Sequence, residues 1–298
     1  MKLINKTIEY LQHKNHKAFY LALMRVFFGF FLLKEILLKL SSAAYLYGSN
    51  SIFKFTEHSS FIVFGIDVST LQSHYVMILS IYILAIVFFI FGIGKRFTAF
   101  LIFFLILILQ KLNNSTVNGG DKMARLLIFY FAFANSFEYF CLRKTNTALK
   151  QNTSTDNLVS NLAAYSIMIQ LCFAYFITFL NKFNNIYWFN GTAVYYVFQT
   201  EAYQGTHYNQ LLTQSKFFVY VATYFAIIFE GCFAFLIWFK KLRIPLLIGG
   251  LMLHFGIYFF MMIYNLQIIF LLPYGLFFTN DEIVSFFKNK LRLNFLVK

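Results

Sequence analysis

Charged residues, cysteine and proline are all scarce in this sequence of 298 residues. Only 12% of the residues are charged, whereas a soluble domain carries about 25%. There are 2 prolines, and the three cysteines (Cys141, Cys172 and Cys232) form neither a CxxC pair nor an even-numbered set. These shortages exclude an ordinary soluble protein, a disulfide scaffold and a cysteine metal site.

Apolar residues dominate instead. They make up 60% of the chain, with 43 Phe, and the mean hydropathy is +0.66. The net charge of +14 is carried by short basic runs between apolar stretches, so we assign it to helix orientation in a lipid bilayer and not to nucleic-acid binding. The composition predicts an all-α, polytopic transmembrane helical bundle without a metal site.

The apolar stretches define the predicted spans. A helix needs about 20 mostly apolar residues to cross ~30 Å of hydrocarbon. On that basis we predict about eight spans, at 18–38, 74–94, 97–112, 122–142, 159–181, 216–239, 244–263 and 265–279. The third and eighth are short, so seven spans with a re-entrant segment are the alternative.

The basic residues predict the orientation. Sixteen of the 25 Lys and Arg residues lie in the N-terminal segment, the C-terminal tail and the loops on the same side, and six lie in the opposite segments. By the positive-inside rule both termini are cytoplasmic. We predict a basic cytoplasmic N-terminus at 1–17, a membrane domain at 18–280, a basic cytoplasmic tail at 281–298, and segments 39–73 and 182–215 on the outside.

Two charged or titratable residues are predicted near the bilayer midplane. Glu230 and His254 lie at similar distances from the basic turn 240–243, about 17–19 Å at 1.5 Å per residue. They form either a proton-handling or ligand-binding pair, or a structural hydrogen bond between two helices.

Other charges in the spans have structural alternatives as well. Arg25 either extends back to the membrane surface or pairs with an acid, and Lys34 and Glu35 are predicted at the interface. Asp121 and Arg125 share a helical face at i, i+4, which favours a helix cap with an ion pair over catalysis. Asn118, Gly119 and Gly120 precede them, and the glycines leave room for a ligand or a neighbouring helix.

Lys182 begins an aromatic segment that contains Trp188 and Gly191. A lysine against an aromatic surface at membrane level loses hydration, which favours the neutral amine and permits it to act as a base. The alternative is an interfacial anchor, because Lys, Trp and Tyr are common at the headgroup level.

The ordered set of these residues resembles the HTTM membrane domain, a family that includes the vitamin K-dependent gamma-glutamyl carboxylases. The resemblance covers roughly residues 15–280 and rests on Leu23-Met24-Arg25-Val26 with Gly29, Asn118-Gly119-Gly120-Asp121 with Arg125, Lys182 with Trp188, Gly191 and Ala193, Glu230, and His254.

The resemblance implies a reaction. In the carboxylases a neutral lysine deprotonates reduced vitamin K, and oxygen then converts the quinol to a strong base and finally to an epoxide. The strong base removes a proton from the gamma carbon of a glutamyl residue, and carbon dioxide adds to that carbon. Lys182 would be that catalytic lysine, with Arg25, Asn118, Gly119, Gly120, Asp121, Arg125, Trp188, Gly191, Glu230 and His254 in the pocket or its supporting structure. The histidine that the carboxylases carry near the Asn118–Asp121 stretch is absent here.

A second branch of the same family implies another function. The sporulation-delaying protein B group is similar in size and matures a secreted antimicrobial peptide together with a partner. This branch predicts a maturation or export factor that binds a hydrophobic peptide, with a helper protein and without a quinol. Either branch places the protein in the bacterial inner (plasma) membrane with its working face outward.

Overall fold

The structure, a computed structural model, describes residues 2–51, 66–142 and 153–291, with side chains as far as residue 286. Every regular element in these ranges is helical, and none is a strand. The α-helices are α1 (Lys2–His13), α2 (Ala18–Lys39), α3 (Ala43–Tyr47), α4 (Val68–Ser73), α5 (Tyr75–Phe91), α6 (Arg96–Leu112), α7 (Gly119–Phe131), α8 (Ser154–Phe183), α9 (Ile186–Phe189), α10 (Ala193–Gln199), α11 (Tyr208–Thr213), α12 (Lys216–Leu236), α13 (Lys240–Met261), α14 (Tyr264–Leu271) and α15 (Asn280–Leu291).

Three of these helices are long and apolar enough to cross a membrane, namely α8, α12 and α13. A fourth span results if the bent segment made of Tyr264–Phe277 and Asn280–Phe286 is counted as one. The all-α membrane character is therefore confirmed, whereas the prediction of eight spans is not. Basic residues that support the predicted orientation, among them Arg143, Lys144 and Lys150, lie outside the described residues.

The chain divides into two compact units, which the sequence analysis did not anticipate. The first contains residues 1–165 and 278–298, and the second contains residues 166–277. In the first unit α2 packs on α5, α5 on α6, and α6 on α7. Phe27 and Phe30 of α2 are more than half exposed, while Met24 and Phe28 are buried. This apolar exterior is what a helix in contact with lipid requires.

The fourth predicted span ends early. We predicted 122–142, but α7 ends at Phe131, and its 13 residues extend only about 20 Å. The non-helical residues that follow α7 instead bind Arg25, which is completely buried in α2. Its guanidinium donates to the carbonyl oxygens of Ser136, Tyr139 and Phe140 at 2.9, 3.3 and 2.6 Å. These carbonyls face the guanidinium instead of accepting bonds along a helix.

Close packing of α2 on α5 requires glycine at position 29. A Cβ there would lie 2.4 Å from Cγ1 of Ile90 in α5, so any larger residue must push the two helices apart. Small residues at such contacts are typical of helices that approach closely in membranes.

We predict that Gly29→Ala lowers stability by about 1–3 kcal/mol because the added methyl overpacks this contact. Thermal unfolding in detergent measures the effect. The matched control is Gly256→Ala in α13, where a Cβ would have no atom within 4 Å and helix propensity favours alanine. Equal destabilisation by both substitutions would contradict this account of Gly29.

Candidate functional site

The centre of the second unit is an ion pair between two helices. Lys182 lies in the last turn of α8, and its Nζ is 2.6 Å from Oε1 of Glu230 in α12. The side chains are only 16% and 6% exposed. Both charges are thus largely removed from solvent, and each offsets part of the other's cost of burial.

An aromatic ring completes one side of the pair. The Lys182 Nζ lies 4.4 Å from the centroid of the Trp188 ring, within the range of a cation–π interaction. Trp188 belongs to the short helix α9, which Asn185 caps by accepting a hydrogen bond from the Tyr187 amide. The structure therefore brings together Lys182, Trp188 and Glu230, three of the residues that the sequence analysis singled out.

Gly191 fixes the turn that follows Trp188. Its φ of +74° lies in the left-handed region, and a Cβ there would be 2.4 Å from the ring of Tyr220. Both facts require glycine. Gly191 is thus a structural residue that lets the aromatic segment return against α12.

One oxygen of the ion pair has no partner. Oε2 of Glu230 is buried, and no hydrogen-bond partner for it occurs in the described part of the chain. A buried carboxylate oxygen without a donor is costly. It is therefore the atom of this cluster best suited to accept a hydrogen bond from a substrate or to carry a proton.

His254 does not pair directly with Glu230, in contrast to the predicted Glu–His pair. It lies on the narrow buried face of α13, formed by Leu247, Gly250 and His254. Its Nε2 is 2.5 Å from the Tyr175 hydroxyl, and its Nδ1 contacts Oε1 of Gln267. The similar distance of the two residues from the 240–243 turn, on which the predicted pair was based, does not determine which side chains meet.

The bonds of His254 define a relay of four residues. Because Oε1 of Gln267 can only accept, Nδ1 of His254 carries the proton and Nε2 accepts from Tyr175. The Tyr175 oxygen then accepts from the Tyr274 hydroxyl at 2.6 Å. The result is a directed chain from Tyr274 through Tyr175 and His254 to Gln267.

The sequence analysis missed Tyr175, Gln267 and Tyr274. A signal for Tyr175 was available, since it precedes Lys182 by seven residues and so lies on the same face of α8. Its ring also packs on Phe229 and Phe233, which flank Glu230 in α12. The relay and the ion pair thus share α8, and Tyr175 of the relay packs against the side chains that flank Glu230 in α12.

In the first unit, the residues around Asn118 form a helix cap. The Asn118 side chain accepts from the amides of Gly120 and Asp121, and the Asp121 carboxylate accepts from the Asn118 amide. This is a capping box. Asn118 is therefore the N-cap, and Gly119 and Gly120 form the first turn of α7.

The predicted ion pair of Asp121 with Arg125 is not formed. Arg125 donates instead to Oε1 of Gln110 in α6, at 3.0 Å. Arg25 adopts neither predicted arrangement, since it is buried and bonded to backbone carbonyls. Lys34 and Glu35, which were predicted at the membrane interface, contact each other at 3.1 Å, and the lysine is about half exposed.

We predict that Tyr175→Phe destabilises the protein by about 1–3 kcal/mol, because it leaves His254 Nε2 and the Tyr274 hydroxyl buried without their shared partner. Thermal or chemical unfolding in detergent measures the loss. Tyr195→Phe, at an exposed position of α10, is the matched control and should change stability by less than about 0.5 kcal/mol. Unchanged stability of the Tyr175→Phe variant would show that the relay does not stabilise the fold.

Within the described side chains, no group of three or more His, Cys, Asp or Glu residues is arranged to hold a metal ion. No known protein family matches the sequence, and neither a characterised protein nor a solved structure is significantly similar to it.

Proposed function

We propose that this protein is an integral membrane enzyme of the HTTM type in which Lys182 and Glu230 transfer a proton to or from a bound substrate. The observation that carries the proposal is the buried ion pair with one unpartnered carboxylate oxygen. A pair with a structural role alone gains nothing from leaving that oxygen without a donor, because the desolvation cost is not recovered.

The pair can supply a neutral amine. A proton that moves from Nζ of Lys182 to Glu230 across 2.6 Å leaves two uncharged groups, and burial favours uncharged groups. The lysine then has a lone pair with which to accept a proton from an acidic substrate O–H. Trp188 shields one side of the amine from water.

The resemblance implies that reduced vitamin K provides this O–H. Its reaction with oxygen would then produce the strong base, and that base would act on a glutamyl residue of a secreted peptide or protein. The residues are compatible with such a quinol. The free Oε2 of Glu230 can accept a phenolic O–H, and the surrounding side chains of α8 and α12 are aromatic.

The topology belongs to the same proposal. The distribution of Lys and Arg supports cytoplasmic termini, further spans formed by the shorter apolar helices, and a location in the bacterial plasma membrane. Lys182 would then lie at the outer side, where a secreted substrate is accessible.

The first test is formation of quinone epoxide by the purified protein, supplied with reduced vitamin K, oxygen, bicarbonate and a glutamyl peptide. We expect Lys182→Arg to reduce epoxide formation by about 100-fold or more, because arginine retains the charge but does not become a neutral base. It also keeps Glu230 partnered, so the variant should remain folded. The matched control is Lys216→Arg, at the exposed first residue of α12.

Full activity of Lys182→Arg would show that Lys182 is a structural cation. No epoxide from the wild-type protein would contradict the quinol reaction and favour the peptide-maturation branch. That branch is then tested by deleting the protein and measuring the processing and activity of secreted antimicrobial peptides.

A further inference from the structure

A cavity of about 70 Å³ lies in the first unit, between α2, α6 and α7, with Tyr47 of α3 and Tyr82 of α5 also in its wall. A single ordered water needs only about 10–15 Å³ by the same kind of measure. The cavity is therefore large enough for a molecule of a few heavy atoms. It is independent of the Lys182–Glu230 cluster, which belongs to the second unit.

An unpartnered amide lines this cavity. Asn113 follows the last residue of α6 and is only 2% exposed. Neither its Nδ2 nor its Oδ1 has a hydrogen-bond partner in the residues that the structure describes. Leaving both atoms unsatisfied costs about 1–3 kcal/mol for each group. The side chain also makes no cap hydrogen bond to the 3-10 turn Asn114–Thr116 that follows it, so local structure does not explain its presence.

A second side-chain amide in the same wall, that of Gln110, has hydrogen-bond partners for both its nitrogen and its oxygen. Gln110 precedes Asn113 by one helical turn. It donates to the backbone carbonyl of Asp121 at 3.1 Å and accepts from Arg125 at 3.0 Å. The protein thus uses Gln110 to join α6 to α7 and leaves the donor and the acceptor of Asn113 available to a ligand.

Two carboxylates line the wall. Glu35, which also contacts Lys34 at 3.1 Å, and Asp121 lie there together with the ammonium of Lys39. Burial raises the pKa of Tyr47 to about 12, and the Asp121 and Glu35 carboxylates act in the same direction. Both carboxylates therefore disfavour a further negative charge at Tyr47, which makes an anionic ligand less suitable than a cationic one.

Aromatic rings add to this preference. Phe31, Tyr47 and Tyr82 all line the cavity. The faces of such rings attract an organic ammonium group. A compact cation with apolar neighbours therefore suits the wall better than a hydrated metal ion or an anion.

We propose that this cavity binds a primary ammonium group with a neighbouring amide, the chemistry of an amino-acid amide or of the N-terminus of a short peptide. The ammonium lies near the carboxylates and the rings. The Nδ2 group of Asn113 donates to the ligand's carbonyl, and Oδ1 accepts from its N–H.

The test measures thermal unfolding of the full chain in detergent against increasing L-alaninamide hydrochloride, with sodium chloride at matched ionic strength. We expect a saturable rise in the unfolding temperature. N-acetyl-L-alaninamide, which has no ammonium, should not produce it. Trialanine amide distinguishes the two sources of the ligand: binding as tight as that of alaninamide identifies a peptide terminus, and weaker binding identifies a free small molecule.

Asn113→Leu separates binding from folding. Leucine has nearly the same shape and removes two unsatisfied polar atoms, so the free protein should be as stable as the wild type or more stable. Affinity for alaninamide should fall roughly tenfold or more, since two hydrogen bonds are lost. Asn114→Leu, at the exposed neighbouring position, is the matched control and should bind normally.

Three results would overturn the proposal. They are the absence of a saturable shift in the wild-type protein, an equal shift with the acetylated amide, and unchanged binding by Asn113→Leu. None of them depends on the epoxide assay, so this proposal and the proposed enzyme function can fail separately.

Discussion

A charged side chain among apolar helices must find its partners within the protein, because lipid provides none. Arg25 finds three backbone carbonyls, and Lys182 finds Glu230. Each of these contacts holds together segments that are distant in the sequence. The non-helical segment after α7 places its carbonyls around Arg25, and the lysine–glutamate contact joins α8 to α12. Burial of a few charges thus ties distant segments of the chain together.

The same constraint draws attention to buried polar atoms that lack a hydrogen-bond partner. Most buried polar atoms in native proteins have a hydrogen-bond partner. Oε2 of Glu230 and both amide atoms of Asn113 do not, within the described residues. Their neighbours are well satisfied, Glu230 Oε1 by Lys182 and Gln110 by Arg125. Loose packing of the surroundings therefore does not explain them. Each of these atoms is available to a ligand, which is the basis of the two proposals above.

Sequence reasoning predicted what depends on position along a helix. The apolar run at 18–38 predicted the bounds of a helix to within one residue, since that helix is Ala18–Lys39, although it is not among the helices that are long and apolar enough to cross a membrane. Lys182, Glu230 and His254 were identified because charged or titratable residues in apolar runs are conspicuous. The predicted side-chain pairs were wrong, because such pairs depend on the rotation of each helix about its axis and on which helices pack together. Equal predicted depth suggested that Glu230 contacts His254. Instead, two residues of α8 are their partners: Lys182 contacts Glu230, and Tyr175 contacts His254. Helix periodicity alone cannot determine these contacts.

The hydrogen bonds of Arg25 also have a consequence for biogenesis. The guanidinium belongs to the first long helix, and its carbonyl partners lie more than 100 residues later in the chain. A ribosome makes α2 well before those partners exist. Until residues 136–140 are synthesised, Arg25 has no internal acceptor and must keep its charge hydrated. Arg25 can therefore complete its hydrogen bonds only after the segment that follows α7 has been made, so the folding of an early and a late part of the chain is coupled through one side chain.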